Sequence, residues 1–128
     1  MKLKKIIINQ SEQWLYINGN PSKPILFIVH GGPGNSFLPW VHRYDEILLN
    51  DFLVIHWDQR NSGKSFSLDL DRKSLTLNQF QNDLIQVLSE IYNEFSKPIN
   101  LIGHSWGSLL CLTTFKDLKH IASYIGVG

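Results

Sequence analysis

The sequence predicts an α/β fold in which a mostly parallel sheet carries helices on both faces and an antiparallel hairpin precedes the parallel strands. Two observations support this prediction. Apolar, β-branched runs alternate with segments of helical periodicity, and three of these runs end in short loops rich in glycine and polar residues. Repeated strand–helix–strand units form parallel sheets with right-handed connections. Ligands bind such sheets beyond the carboxyl ends of the strands, so the loops 31–36, 58–65 and 103–107 mark the candidate site.

The first twenty residues predict the antiparallel hairpin at one edge of the sheet. Segments 3–8 and 14–17 are short and apolar, as strands are, and the turn signal Asn18-Gly19-Asn20-Pro21 follows them. The next run, 25–30, is continuously apolar, which is typical of a parallel strand buried on both faces. A helix over 38–49 and a second buried strand over 52–57 then follow.

The remaining elements continue the alternation of strand and helix. Apolar residues over 77–95 recur at spacings of three and four behind Thr76, a suitable N-cap, and therefore predict a helix. Three further elements are predicted after it: a strand over 99–102, a helix over 106–118 and a fourth buried strand over 121–127. We expect residues 1–20 to form the edge hairpin and residues 24–128 to form the parallel strand–helix units of one domain.

Composition excludes several classes of function. The chain has 128 residues, enough for one domain, and 43% of them are hydrophobic, as in a globular protein with a packed core. A formal net charge of +1 provides no basic surface for phosphates, so no nucleic-acid partner is expected. No segment has the apolar length of a signal peptide or a membrane span, and Cys111 is the only cysteine. We therefore expect a cytoplasmic protein without a membrane partner.

Gly103-His104-Ser105-Trp106-Gly107 matches G-x-S-x-G, the nucleophile elbow, in which serine lies on a strained turn between a strand and a helix. The required context is present, because an apolar strand precedes the motif and an apolar helix follows it. We therefore predict Ser105 as a nucleophile. The N-terminus of the following helix offers N–H groups and a positive dipole end to a developing oxyanion. The alternative is a Gly-Ser turn of purely structural use.

His30-Gly31-Gly32-Pro33-Gly34 follows the first long buried strand, where this architecture takes its other oxyanion donor. Small residues allow a backbone N–H to approach a substrate oxygen. We assign the oxyanion hole to the backbone N–H groups of Gly32, with Gly31 as second choice, and of Trp106. A glycine-rich turn without catalytic use is the alternative. Neither G-x-x-x-x-G-K-[ST] nor G-x-G-x-x-G is present, so no cofactor is expected.

These two motifs, together with Asp58-Gln59-Arg60-Asn61-Ser62-Gly63-Lys64-Ser65, resemble the three signatures of the α/β-hydrolase superfamily. The resemblance is closest to its prolyl aminopeptidase (proline iminopeptidase) branch and covers about residues 24–128. Members of that branch remove an N-terminal residue, proline above all, from peptides with a Ser, Asp, His triad and no metal. Other peptidases, esterases and lactonases share parts of the pattern, so a peptide or an ester is the expected substrate.

The resemblance also implies roles for individual residues. Ser105 is the implied nucleophile, with Gly32 and Trp106 as oxyanion donors, and Asp58 and Arg60 are implied to brace the site. The other residues expected to support the site are His30, Gly34, Gly103, His104 and Gly107.

No residue after Ser105 is placed to complete a triad. The superfamily order is Ser, then Asp or Glu, then His, and only Asp117 and His120 remain. Asp117 would lie about 18 Å along the helix axis from Ser105, whereas a base must come within roughly 3 Å of its proton. We therefore expect the N-terminal part of a single α/β-hydrolase core domain, truncated after the strand that follows the nucleophile helix and inactive by itself.

Two further alternatives remain. The chain is either a serine hydrolase fragment or a non-catalytic interaction module that reuses the fold, since fold alone does not decide function. An exposed edge at the last strand would also allow self-association. His30, His56 and His104 lie near strand ends, and a metal-binding trio is the less favoured interpretation, because strand-end histidines more often satisfy a backbone partner. No metal site is expected.

Overall fold

One mixed sheet of six strands, in the order β1-β2-β4-β3-β5-β6, organises the computed structural model, which describes all residues 1–128. The strands are β1 (Lys2–Ile8), β2 (Ser11–Asn18), β3 (Ile25–Val29), β4 (Leu53–Asp58), β5 (Ile99–His104) and β6 (Ile121–Val127). The α-helices are α1 (Val41–Leu48), α2 (Leu77–Phe95) and α3 (Trp106–Thr114). The pairs β1–β2 and β2–β4 are antiparallel, and the other three pairs are parallel. The predicted fold class is confirmed.

The N-terminal hairpin forms at the predicted sheet edge, but its turn is at Asn9 and Gln10. Both residues have positive φ, 47° and 66°, as a two-residue hairpin turn of type I′ requires. The Asn18-Gly19-Asn20-Pro21 signal ends β2 instead. β2 is also longer than its apolar segment, because Gln13 is fully buried and is paired by hydrogen bonds with Trp57 and Asp83.

Helices cover both faces of the sheet unequally. One face packs against α2 and α3 around 19 buried apolar residues, among them Phe27 and Leu101. The face toward α1 has a much smaller apolar cluster of three buried residues, Leu26, Ile28 and Val54. Since apolar burial contributes about 25 cal/mol per Å², most of the hydrophobic stabilisation of this chain comes from the α2/α3 face.

The helix predicted over 77–95 is observed with its predicted cap. The Thr76 side chain accepts a hydrogen bond from the Gln79 N–H at 3.1 Å, which satisfies one of the unpaired donors at a helix N-terminus. The apolar stripe of this helix faces the sheet, whereas Asp83, on the same buried face, is a polar exception.

The C-terminal elements differ from the prediction in two respects. α3 ends at Thr114 and continues as a 3₁₀ turn over Phe115–Asp117, so the helix is shorter than the predicted 106–118. β6 has the predicted bounds but is not buried, since only Ile121 and Tyr124 are even half-buried. The reason is that β6 pairs with β5 on one side only, at the end of the sheet order. No helix is both long and apolar enough to cross a membrane.

Candidate active site

The carboxyl ends of three neighbouring parallel strands bring the three motifs together. β3 leads into the glycine-rich loop 30–34, β4 into the loop 58–65, and β5 into the elbow 103–107. The first and third are in close contact, because a Cβ atom added to Gly31 would lie 3.2 Å from the Ser105 Cβ. The predicted convergence of these loops at one edge of the sheet is therefore observed.

Ser105 occupies a strained turn between β5 and α3. Its φ and ψ are 52° and −117°, a conformation that costs a non-glycine residue free energy and persists only where the surroundings enforce it. The Ser105 N–H donates to the Val127 carbonyl at 2.7 Å, and its carbonyl accepts from the Ser108 N–H at 2.9 Å. β6 and the first turn of α3 thus hold the backbone, while the serine itself is exposed to solvent.

The two glycines of the elbow allow α3 to start close to the sheet. A Cβ atom on Gly107 would lie 2.1 Å from the Val29 carbonyl oxygen and 2.7 Å from that of His30. A Cβ atom on Gly103 would lie 2.7 Å from the Gly107 carbonyl oxygen. These distances are shorter than a non-bonded carbon–oxygen contact can be, so the close backbone approach requires glycine at both positions.

The glycine-rich loop runs beside the serine. Gly32 has a φ of 115°. A Cβ atom added to Gly34 would have no neighbouring atom within 4 Å, so this part of the loop borders open space. Trp106 begins α3, and the first N–H groups of a helix have no partner within it. The Trp106 N–H therefore has no partner within α3, and Gly31 of the glycine-rich loop lies next to Ser105.

His30 is buried at the end of β3 and is held as a neutral imidazole. Its Nδ1 donates to the Gly31 carbonyl at 2.8 Å, and its Nε2 accepts from the Gln59 N–H at 3.2 Å. Each bond fixes the tautomer, because a carbonyl only accepts and an N–H only donates. Burial also lowers the pKa of His30 below 6.5. Both ring nitrogens are engaged, so His30 braces the glycine-rich loop.

Asp58 anchors the far end of that loop. Its carboxylate accepts hydrogen bonds from the Tyr16 hydroxyl at 2.7 Å, from the Lys64 N–H at 2.8 Å and from the Ser36 hydroxyl. Ser36 follows Gly34 closely in the chain, so the glycine-rich loop is tied to β4. Burial, with the bond to Asp58, raises the pKa of Tyr16, which therefore remains a neutral donor.

Arg60 connects the loop 58–65 to α2 rather than to the serine. Its Nε and Nη2 donate to the two carboxylate oxygens of Asp83 at 2.7 and 3.0 Å. The same carboxylate accepts from Asn9, Gln13 and Gln79. This buried ion pair therefore joins the hairpin, α2 and the loop 58–65.

The strand-end histidines do not form a metal-binding trio. The Phe37 ring packs against both His30 and His104, with centroid distances of 6.3 and 5.4 Å. His56 pairs instead with Asp45 of α1 at 2.8 Å. No group of three His, Cys, Asp or Glu side chains is arranged to hold a metal ion. The buried Nδ1 of His104 has no hydrogen-bond partner.

Neither remaining triad candidate approaches Ser105. His120 precedes β6, and its carbonyl accepts from the N–H of Ile99, the first residue of β5. It therefore lies at the amino ends of the strands, about 20 Å from their carboxyl ends at the usual rise per residue. Asp117 ends the 3₁₀ turn that follows α3. Cys111 is fully buried, and burial raises the pKa of its thiol to about 12.

Gln59 is a residue of this region to which the sequence motifs assign no role of its own. It is fully buried, and its side chain contacts both the glycine-rich loop and the elbow that carries Ser105. Its Nε2 donates to the His30 carbonyl at 2.8 Å, and its Oε1 accepts from the Trp106 indole N–H at 3.0 Å. The sequence signals for this role are an uncharged polar residue directly after a buried strand and its place in the motif that begins at Asp58.

Two grooves flank the elbow. One, of about 580 Å³, runs between α1 and the sheet, is mainly apolar, and reaches His104 and Val127. The other, of about 370 Å³, lies between the glycine-rich loop and the start of α2. The residues lining the second groove include Gly34, Arg60, Phe80 and Trp106. The first groove meets the elbow at His104 and the second at Trp106.

Comparison with known proteins defines the class of this chain. Residues 24–128 match the family described as the alpha/beta hydrolase fold, so the chain belongs to that family. It is 44% identical, over an alignment of 129 residues, to the probable aminopeptidase YbaC of Bacillus subtilis (strain 168). The match covers 98% of this chain and 41% of that protein.

Solved structures show the same fold. A proline iminopeptidase-related protein from Thermus thermophilus superimposes with a TM-score of 0.80 at 22% identity, over 98% of this chain and 43% of that one. An epoxide hydrolase from Vigna radiata also gives a TM-score of 0.80, at 16% identity, over 99% of this chain and 39% of its own. The chain thus spans about two-fifths of the length of these three proteins.

Proposed function

We propose that this chain supplies the nucleophile and the oxyanion hole of a serine hydrolase of the aminopeptidase type. The observation that carries the proposal is the strained, exposed Ser105 directly beside the Gly31-Gly32 loop. The 44% identity to a probable aminopeptidase supports a peptidase rather than another hydrolase. The preferred substrate is a small peptide with N-terminal proline or a similar residue, cleaved in the cytoplasm without a cofactor.

In the proposed reaction, the Ser105 Oγ attacks the carbonyl carbon of the scissile bond while a base takes its proton. The carbonyl oxygen becomes an oxyanion that accepts hydrogen bonds from the backbone N–H groups of Gly32, or Gly31, and Trp106. The C–N bond then breaks, the amine leaves with the proton, and water hydrolyses the acyl-serine ester. His30, Gly34, Asp58, Arg60, Gly103, His104 and Gly107 shape and brace this arrangement.

We propose that the base and its carboxylate partner come from outside these 128 residues. Asp117 and His120 are remote from Ser105, and His30 has both ring nitrogens engaged. A serine without a base is a weak nucleophile. We therefore expect the isolated 128-residue chain to be catalytically inactive, or nearly so.

The experiment uses the protein encoded by the complete reading frame that contains this chain. Its hydrolysis of prolyl and other aminoacyl p-nitroanilides is compared with that of p-nitrophenyl esters and lactones. We expect the highest kcat/KM for a prolyl or similar anilide and a loss of at least about 1000-fold in Ser105→Ala. A preference for esters or lactones would replace the aminopeptidase with the esterase alternative. Activity that survives Ser105→Ala would refute the nucleophile.

An interaction module is the second candidate, because β6 exposes its apolar residues Ile125 and Val127 at the edge of the sheet. Such an edge can pair with another copy of the chain. If the complete reading frame ends at Gly128 and the purified chain shows no turnover dependent on Ser105, this second function replaces the first. Sedimentation velocity over a range of concentrations then tests self-association.

A further inference from the structure

The side-chain amide of Gln59 has a fixed orientation between the two halves of the proposed oxyanion hole. Its Nε2 donates to the His30 carbonyl at 2.8 Å, and its Oε1 accepts from the Trp106 indole at 3.0 Å. The amide cannot be reversed, because a carbonyl only accepts and an indole N–H only donates. The two partners thus determine which end of the amide faces each loop.

The main chain of Gln59 is fixed as firmly as its side chain. Its N–H donates to the His30 Nε2 at 3.2 Å. Its carbonyl accepts from the Ser62 hydroxyl at 2.7 Å and from the Ser62 N–H at 3.0 Å. Gln59 is also fully buried. The residue is therefore a rigid link with little freedom to follow a movement of either partner.

From these contacts we propose that Gln59 is a positioning residue that sets the separation of the two oxyanion donors. The His30 carbonyl directly precedes the N–H of Gly31, so its bond to Gln59 positions the start of the glycine-rich loop. The indole of Trp106 belongs to the residue whose backbone N–H is the other donor. The inference rests on the proposed function and extends it to a residue that does not contact the substrate.

The required precision explains why such a link matters. Oxyanion donors are effective when they lie about 2.7–3.1 Å from the developing charge, and a displacement of about 1 Å in a catalytic arrangement can reduce the rate about 100-fold. The two donors belong to loops that follow different strands, β3 and β5. Gln59 directly follows β4, and its side chain forms hydrogen bonds with both the loop after β3 and the loop after β5.

Asn100, on β5, provides a matched control. Its Nδ2 donates to the Ile25 carbonyl at 3.0 Å, and its Oδ1 accepts from the Ser123 hydroxyl at 2.7 Å. It thus makes the same kind of amide bridge to β3, but at the end of the strand remote from Ser105. Asn100→Leu should therefore show how much stability is lost with such a bridge, and it should leave the oxyanion hole unchanged.

The test compares Gln59→Met, Trp106→Phe and Asn100→Leu in the protein encoded by the complete reading frame, at matched folded fractions. We expect Gln59→Met to lower kcat about 10- to 100-fold with KM within about twofold, and to weaken a peptide boronate, whose adduct occupies the oxyanion hole, by a similar factor. Trp106→Phe should lower kcat less, and the double variant should lose less than the product of the two single losses. Asn100→Leu should leave kcat unchanged.

Several results would overturn the inference while leaving the proposed function intact. These are a loss in Gln59→Met no larger than in Asn100→Leu, an effect confined to KM, or strictly multiplicative losses in the double variant. If the wild-type protein shows no turnover, the proposed function fails, and NMR tests the link by itself. Gln59→Met should then shift the backbone amide resonances of Gly32 and Trp106, whereas Asn100→Leu should not; unchanged resonances would refute the link.

Discussion

The two faces of the sheet carry different kinds of side chain. The face under α2 and α3 holds most of the buried apolar residues, including Phe27 and Leu101. The face toward α1 holds a small apolar cluster and the buried polar side chains of His56 and Asp58. Successive residues of a strand point to opposite faces. The alternation along each strand therefore separates residues that mainly stabilise the fold from residues that shape the candidate site.

This difference indicates that the two faces tolerate change differently. The α2/α3 face is dense and mainly apolar, so its residues should affect stability. The α1 face borders a groove of about 580 Å³, so truncation there removes fewer packing contacts. The ion pair between Arg60 and Asp83 is the main exception, because it is a charged cluster buried on the otherwise apolar side.

The largest effect is expected at that exception. Arg60→Met leaves the Asp83 carboxylate buried without its charged partner, and breaking a buried ion pair costs about 3–5 kcal/mol. Urea denaturation of the purified protein measures the change in unfolding free energy. The double variant Arg60→Met/Asp83→Leu should recover part of the loss. A cost below about 1 kcal/mol for Arg60→Met would show that this pair is not essential to the α2/α3 face.

A matched pair of leucines tests the contrast between the faces directly. Leu101 on the α2/α3 face and Leu26 on the α1 face lie on adjacent strands, and both are buried. Leu101→Ala should cost about 3–4 kcal/mol and Leu26→Ala about 2 kcal/mol, since the penalty grows with the cavity that remains. Equal costs in urea denaturation would contradict unequal packing of the two faces.

The element order could be predicted from the sequence because its signals are local. Hydrophobic periodicity and glycine-containing loops identified all six strands approximately, and Thr76 was identified as the cap of α2. The hairpin turn was missed because Asn9 and Gln10 include no glycine, although both adopt positive φ. The exposure of β6 was also missed, since an apolar run does not reveal whether a neighbouring element covers it.

The positions of the candidate-site loops could be predicted from motifs, whereas contacts between residues distant in sequence could not. Ser105 and the glycine-rich loop belong to recognisable patterns with a known structural context. Gln59 and Trp106 are 47 positions apart, and Gln13 and Asp83 are 70 apart. A buried polar residue depends on a partner, and its sequence neighbours do not show which partner the fold provides.

A smaller effect concerns pH and the polar residues of the α1 face. Burial lowers the pKa of His30 below 6.5, so below that pH the unfolded chain binds more protons than the folded protein. The contribution of His30 to the unfolding free energy should therefore be fully retained above pH 6.5. It should fall as the pH decreases from there, by at most about 1.4 kcal/mol per pH unit. Urea titrations from mildly alkaline to mildly acidic pH measure it. His30→Gln should have a smaller slope, whereas parallel curves would assign the pH dependence to other groups.

The smallest change in stability is expected at the edge of the sheet. Ile125 is 57% exposed on β6, so Ile125→Lys should change the unfolding free energy by less than about 0.5 kcal/mol. A lysine on an edge strand opposes pairing with another strand. If wild-type chains associate through β6, the variant should sediment as a monomer at concentrations where the wild type does not. A large loss of stability would instead mean that Ile125 is packed, and the contrast between a dense face and an open edge would fail at this position.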